Sequence, residues 1–235
     1  MEYSSQLQKA KLIKRYKRFL ADVIFENGER TTVHCPNTGS MTTCGSAGDI
    51  VFLSESPNPK RKYKYTWELT VCPQGFIGIN THRPNKIVHK AIIDGFIPEL
   101  EGYDQVKAEA PWGDNSRIDF LLNANGSKQP CYVEVKNVTL KSENGTAVFP
   151  DAKTERGQKH LVDLMETVKA GHRACLFFMI NRPDVDEMEV NAEIDPRYHE
   201  LLGRAMDVGV EILPYRAQST LQDTKLEKKI PFTLR

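Results

Sequence analysis

No stretch of this sequence is long and apolar enough to span a bilayer. The longest hydrophobic run, Ala174-Cys175-Leu176-Phe177-Phe178-Met179-Ile180, stops at seven residues, where a membrane helix needs about 20. The segment MEYSSQLQKAKLIKRYKRFL holds neither an apolar core of signal-peptide length nor a small-residue cleavage site, so a cytoplasmic location is expected. Cysteine is scarce. The five thiols, at 35, 44, 72, 131 and 175, are scattered, odd in number and never spaced as C-x-x-C, which argues against a disulfide framework. His34 and Cys35 with Cys44 are poorly spaced for zinc and read as packing. A dinucleotide fingerprint, an H-E-x-x-H helix and a serine or cysteine triad at workable spacing are all missing. Net charge is almost absent too, at +1, and by itself points to no partner.

What is present is asymmetry. The first 80 residues carry a net +4 and the remainder −3. Lys9, Lys11, Lys14, Arg15, Lys17 and Arg18 crowd one short segment. A second cluster, Lys60, Arg61, Lys62, Tyr63, Lys64, Tyr65 and Trp67, interleaves cations with aromatics. Brought together by folding, the two would suit a polyanion. Between 19 and 79 the signals are short strands, with Asn27-Gly28 the clearest hairpin turn. About five strands in residues 1–80 predict a small β-barrel of the oligonucleotide/oligosaccharide-binding (OB) type.

Residues 81–235 change character. A helical stripe through Ile87, Ala91 and Ile92 comes first, then strands near 106–110, 116–122 and 131–138. Pro150-Asp151 is expected to open a helix that carries Leu161, Leu164, Met165 and Val168 and closes near Gly171. The buried strand RACLFFMI, a helix over 196–208 and the strand GVEILPY complete the order. This predicts a mixed-sheet α/β domain behind the barrel.

The chemistry concentrates in SRIDFLLNANGSKQPCYVEVKN, residues 116–137. Side chains alternate along a strand, so Glu134 and Lys136 share a face while Val133 and Val135 take the other. If the strand carrying Asp119 pairs with theirs, two carboxylates and an amine meet. Two carboxylates form a hard-oxygen site suited to Mg²⁺ or Mn²⁺, with Lys136 steadying phosphate charge and Glu109 able to add a third carboxylate. The same three residues would equally make a cross-strand ion pair on a wetted face.

Longer blocks decide the comparison. LIKRYKRFLADV, HCPNTGSM, NPKRKYKYTWEL, GYD, SRIDFLL, YVEVKNVTL and FPDAKTERGQKHL are similar to the sugar fermentation stimulation protein A family of bacteria and archaea. SRIDFLL and YVEVKN also resemble the PD-(D/E)XK nuclease superfamily. The resemblance implies an OB-like barrel followed by a nuclease-like domain, DNA binding with little sequence preference, and an association with regulation of maltose metabolism. It puts Asp119, Glu134 and Lys136 on the superfamily's catalytic positions, with Ile118 standing where the motif's name has proline. Gln158 resembles a helix-borne glutamine of some superfamily members.

The expected enzyme is a metal-dependent DNA nuclease; the alternative is a non-catalytic DNA-binding regulator on a nuclease scaffold. RNA is a secondary candidate partner, no membrane partner is expected, and a symmetric homodimer would suit duplex DNA. Lys14, Arg15, Lys17, Arg18, Lys60, Arg61, Lys62, Tyr63, Lys64 and Tyr65 are candidate DNA contacts. Read as a strand, KRKYKYTW puts Arg61, Tyr63, Tyr65 and Trp67 on one face, either as a base-stacking platform or as barrel filling. Arg156 and Lys159, near a helix start, could meet the DNA backbone. HCPNTGSM is a turn whose amides could hold a phosphate. His160 reads as a surface or packed histidine.

Overall fold

Gly28 takes a left-handed φ of 85°, the geometry a tight Asn-Gly turn demands. Its arms pair as β2 (Leu20–Phe25) and β3 (Arg30–His34). The computed structural model describes residues 1–113, 116–126, 128–190 and 192–235. The basic N-terminal segment is itself a strand, β1 (Gln8–Tyr16). Ala10 and Leu12 face the barrel interior, and the exposed Lys9 and Lys11 alternate with them.

With β4 (Ile50–Glu55), β5 (Tyr65–Cys72) and β6 (Gly75–Gly78), the sheet runs β3-β2-β1-β4-β5-β6, and a parallel β3–β5 pairing closes the ring. That circuit is the Greek-key barrel of an OB fold. Its interior is filled by Val23, Val33, Val51, Leu53, Trp67 and Ile77.

One expectation is corrected here. Residues 57–64 form a loop, and the strand begins only at Tyr65. Pro57 and Pro59 explain it, since each removes a ladder donor and restricts its neighbour. Arg61, Tyr63, Tyr65 and Trp67 therefore share no strand face, and Trp67 is fully buried in the barrel.

The second half begins with α1 (Pro84–Ile93), β7 (Gln105–Trp112), β8 (Ser116–Asn123) and β9 (Cys131–Val138). After the short β10 (Leu140–Lys141) and β11 (Ala147–Phe149) come α2 (Glu155–Lys169) and β12 (Arg173–Ile180). β13 (Met188–Val190), α3 (Pro196–Asp207), β14 (Glu211–Ser219), β15 (Thr224–Lys229) and β16 (Phe232–Leu234) follow. The main sheet is ordered β15-β14-β12-β9-β8-β7, with β9, β12 and β14 parallel.

α1 packs on one face of this sheet, through Ile87, Val88, Ala91 and Ile92. α2 and α3 cover the other with the small sheet β10-β11-β13-β16. Helix α2 starts later than expected. Thr154 rather than Pro150-Asp151 sets its start, accepting a 3.0 Å bond from Gly157 N. No helix among the described residues is long and apolar enough to cross a membrane.

Candidate functional site

Residues two apart in a strand normally face the same side, yet Ile118 packs with Ala110 and Trp112 against α2 while Phe120 and Leu122 pack against α1. Strand β8 therefore rotates at Asp119. Its partner rotates opposite: Ala108 pairs with Phe120 and Ala110 with Ile118, and between them Glu109 holds a φ of 51°. A non-glycine residue in this region inside a strand is strained, and such strain gathers at functional sites. Arg117 Nη1 donates to Glu109 O at 3.0 Å and braces the distortion. Glu109→Gly is expected to raise unfolding free energy by about 1 kcal/mol, because glycine adopts this conformation at little steric cost. Urea denaturation measures it, and no gain would mean that the backbone here is unstrained.

The rotation swings Asp119 toward β9. Val135 N donates to Asp119 Oδ2 and Asn85 Nδ2, from α1, to Oδ1, both at 2.7 Å. Burial first, then the charge of Glu134, push the Asp119 carboxyl from its ordinary 3.8 up to about 6, against the pull of these hydrogen bonds and of Lys136. Glu134 is 3% exposed. Burial would raise it as well, but hydrogen bonding from His160 and the charge of Lys136 outweigh that and hold it below the ordinary value.

Lys136 Nζ donates to Glu134 Oε1 at 2.7 Å, and His160 Nδ1 pairs with the same oxygen. Arg156 Nε donates to His160 Nε2 at 3.4 Å. Lys136 Nζ also lies 3.2 Å from His160 Nδ1, which closes a ring of Glu134, Lys136 and His160. The second oxygen, Glu134 Oε2, is buried and has no hydrogen-bond partner. Among the described residues, no three His, Cys, Asp or Glu side chains converge as ready-made metal ligands.

Asp119, Glu134 and Lys136 thus come together. Two other candidates do not join them. Gln158 turns away and donates to both oxygens of Asp195, at 2.9 and 3.1 Å, so it ties α2 to the N-cap of α3. The α2 residue that reaches the trio is His160, whose contact lies 26 positions from Glu134 and leaves no local sequence signal. The Glu109 side chain is exposed on the rim instead of converging with the carboxylate pair.

Two clefts meet at Glu109. One is lined by Ser116, Arg117, Arg156, Lys159 and His160, and Lys159 Nζ bonds Asp163 Oδ2 there at 2.9 Å. The other is lined by His82, Asn85, Lys86, His89 and Phe120. Residues 82, 85, 86 and 89 follow helical spacing, so the sequence carries a polar stripe beside the apolar one.

On the barrel, Lys17 and Arg18 are exposed in the β1–β2 turn, both with left-handed φ, 49° and 63°. Lys60, Arg61, Lys62 and Lys64 are exposed around the 57–64 loop with half-buried Tyr63. Lys64 pairs with Glu55 at 2.9 Å, and Tyr65 sits edge-on to Phe25. Lys14 lies 3.7 Å from Asp22. Arg15 is committed elsewhere: its Nη2 donates to the carbonyls of Arg18, Asn37 and Gly39 at 2.8–2.9 Å. It clamps the loop instead of offering an open phosphate contact. Two amides of HCPNTGSM are occupied similarly: Gly39 N donates to Asn37 Oδ1 and Ser40 N to Asp151 Oδ2, both at 2.9 Å. A Cβ on Gly39 would lie 1.8 Å from that oxygen, so a larger residue would displace the Asp151 carboxylate from Ser40 N.

A five-stranded OB-like barrel ahead of a mixed-sheet α/β domain with three helices defines the class. The chain belongs to the sugar fermentation stimulation protein (SfsA) family. The family's N-terminal OB domain matches residues 13–79 and its RE domain matches residues 82–223. The chain is similar to SfsA of Pyrococcus furiosus, whose structure was solved in complex with Ca²⁺. Identity is 27% and the TM-score 0.88, over 99% of this chain and 98% of that one. YjeQ from Thermotoga maritima also matches, at 12% identity over 89% of this chain and 52% of that one, but a TM-score of 0.22 carries no argument.

Proposed function

We infer that this protein binds DNA with little sequence preference and hydrolyses phosphodiester bonds at Asp119, Glu134 and Lys136 with a divalent cation. The observation that carries this reading is Glu134 Oε2, a buried carboxylate oxygen without a partner, beside an Asp119 whose ionisation Glu134 opposes. A cation between them would relieve both. Mg²⁺ suits such a donor set, needing one or two carboxylates with waters and substrate phosphate for the rest. The Pyrococcus relative's Ca²⁺ belongs to the same class of oxygen-seeking ions, and Asp119 and Glu134 would hold the metal here. When bound, it supplies Lewis-acid activation of the phosphoryl group and of water.

The chain's own residues do the rest. Lys136 Nζ holds positive charge at the mouth of the carboxylate pair, where a phosphate's negative charge would build. His160 orients Glu134 through Oε1 and leaves Oε2 facing the site. Asn85 fixes Asp119. OB folds bind oligonucleotides at their strand 2–3 face and at the loops joining strands 1–2 and 4–5. Those loops here carry Lys17 and Arg18 and then Lys60 to Lys64, which supports DNA as the partner and phosphate charge as the attraction.

The closed Glu134-Lys136-His160 ring favours one second reading, a non-catalytic DNA-binding regulator that keeps the ring as a structural ion pair. The purified protein is expected to cleave single-stranded, duplex or branched DNA with Mg²⁺ or Mn²⁺ but not in EDTA. Glu134→Ala should lose cleavage while binding without metal survives. Binding with no cleavage of any substrate favours the regulator.

A further inference from the structure

The loop joining β4 to β5 does not end at the barrel. Arg61 Nη2 lies 3.3 Å from His34 Nδ1, at the last residue of β3. Burial first, then the Arg61 guanidinium, lowers the His34 pKa, and a neutral Nδ1 can accept from that guanidinium. His34 stacks on His82, with ring planes 16° apart and centroids 6.4 Å apart.

His82 lines the α1 cleft with Asn85, Lys86, His89 and Phe120, and Asn85 bonds Asp119 directly. His89 lies against the Phe120 ring, 5.6 Å between centroids. Each step from the barrel loop to the candidate catalytic carboxylate is thus a contact or a shared cleft wall. The surface offers flat ring faces, with Arg61 on the barrel loop and Lys86 in the α1 cleft. Ring faces bind bases that are free to stack, and a duplex keeps its bases stacked on one another.

We propose that Arg61, His34, His82, Lys86 and His89 form a track along which an unpaired DNA strand passes from the barrel to Asp119. The proposal rests on the nuclease reading above and assigns that site its substrate class, a single strand or a frayed end. Bases stack on the imidazoles while Arg61 and Lys86 follow the phosphates.

The test is fluorescence anisotropy in EDTA, with a labelled single strand and a blunt duplex of the same sequence, on the full chain. His82→Ala/His89→Ala alters two side chains outside the packed core and is expected to weaken single-strand binding about tenfold, from the loss of stacking. Duplex binding should change less than twofold. His34→Ala should act in the same direction, and circular dichroism checks that each variant folds. The track is wrong if the double variant binds single strands within twofold of the parent, if both DNA forms weaken equally, or if the parent prefers duplex. A parent that binds neither form overturns the DNA reading as well. Normal cleavage with a failed track overturns the track alone.

Discussion

Asp119→Asn is expected to lower metal-dependent DNA cleavage by about 10³-fold while leaving DNA affinity in EDTA unchanged. The substitution keeps the side chain's shape and one carbonyl oxygen for Val135 N, which bonds Asp119 Oδ2 at 2.7 Å. Removing one charged group from a preorganised site typically costs 10²–10³ in rate, and here that group is also a proposed metal ligand. The pH dependence separates this from a structural effect. Asp119 is raised from 3.8 to about 6, by burial first and Glu134 second. A carboxyl raised on folding contributes stability below its unfolded value near 4, and that contribution is lost as pH rises through 6. A bound cation favours the ionised form and reverses the penalty. Thermal stabilisation by Ca²⁺ should therefore grow between pH 5 and pH 7 in the parent, and be small and flat in Asp119→Asn. Equal cleavage, or equal stabilisation in both proteins, would remove Asp119 from the site.

The parts of this site legible in the sequence are those set by local periodicity. Glu134 and Lys136 sit two apart in a strand, so their shared face follows from spacing alone, and the Asn27-Gly28 hairpin follows from its turn residues. What depends on distant partners was not legible. His160 reaches Glu134 across the space between α2 and the sheet, and nothing near His160 announces it. Gln158 carries the right residue type on the right helix but faces Asp195, a partner 37 positions away. The left-handed Glu109 has no local marker, because neither glycine nor asparagine stands at that position.

Elsewhere the sequence carries signals that overlap and compete. Lysines at alternate positions of β1 masked its buried Ala10 and Leu12 behind a basic cluster. Pro57 and Pro59 should have ended the aromatic strand before it began. β10, β11, β13 and β16 are two or three residues long, too short for alternation to register.

Arg182→Ala is expected to cost about 3–5 kcal/mol of stability, the range for stripping one partner from a buried ion pair. Arg182 is 2% exposed. Its Nε and Nη2 bond the two oxygens of Asp184 at 2.7 and 2.9 Å. Its Nη1 donates to Thr139 O at 2.7 Å, just past β9, and to Thr43 Oγ1 of the barrel at 3.0 Å. Lys141 Nζ adds a 2.6 Å bond to Asp184. Burial would raise Asp184, but the two cations outweigh it and hold the carboxyl down to about 2. A depressed carboxyl stabilises the fold above its unfolded value of 3.8, and that contribution fades as pH falls toward 2. Without Arg182 the acid limb of unfolding should move to higher pH. Urea denaturation at pH 7 and an acid titration measure the two effects, and a loss under about 1 kcal/mol would mean that Lys141 alone satisfies Asp184. The functional consequence follows from where the clamp sits. Thr43 belongs to the barrel and Thr139 to the strand end beyond Lys136, so Arg182 holds the barrel in register with the carboxylates. At temperatures where Arg182→Ala stays folded, cleavage of a long single strand should fall further than hydrolysis of a minimal phosphodiester, because only the longer substrate reaches the barrel.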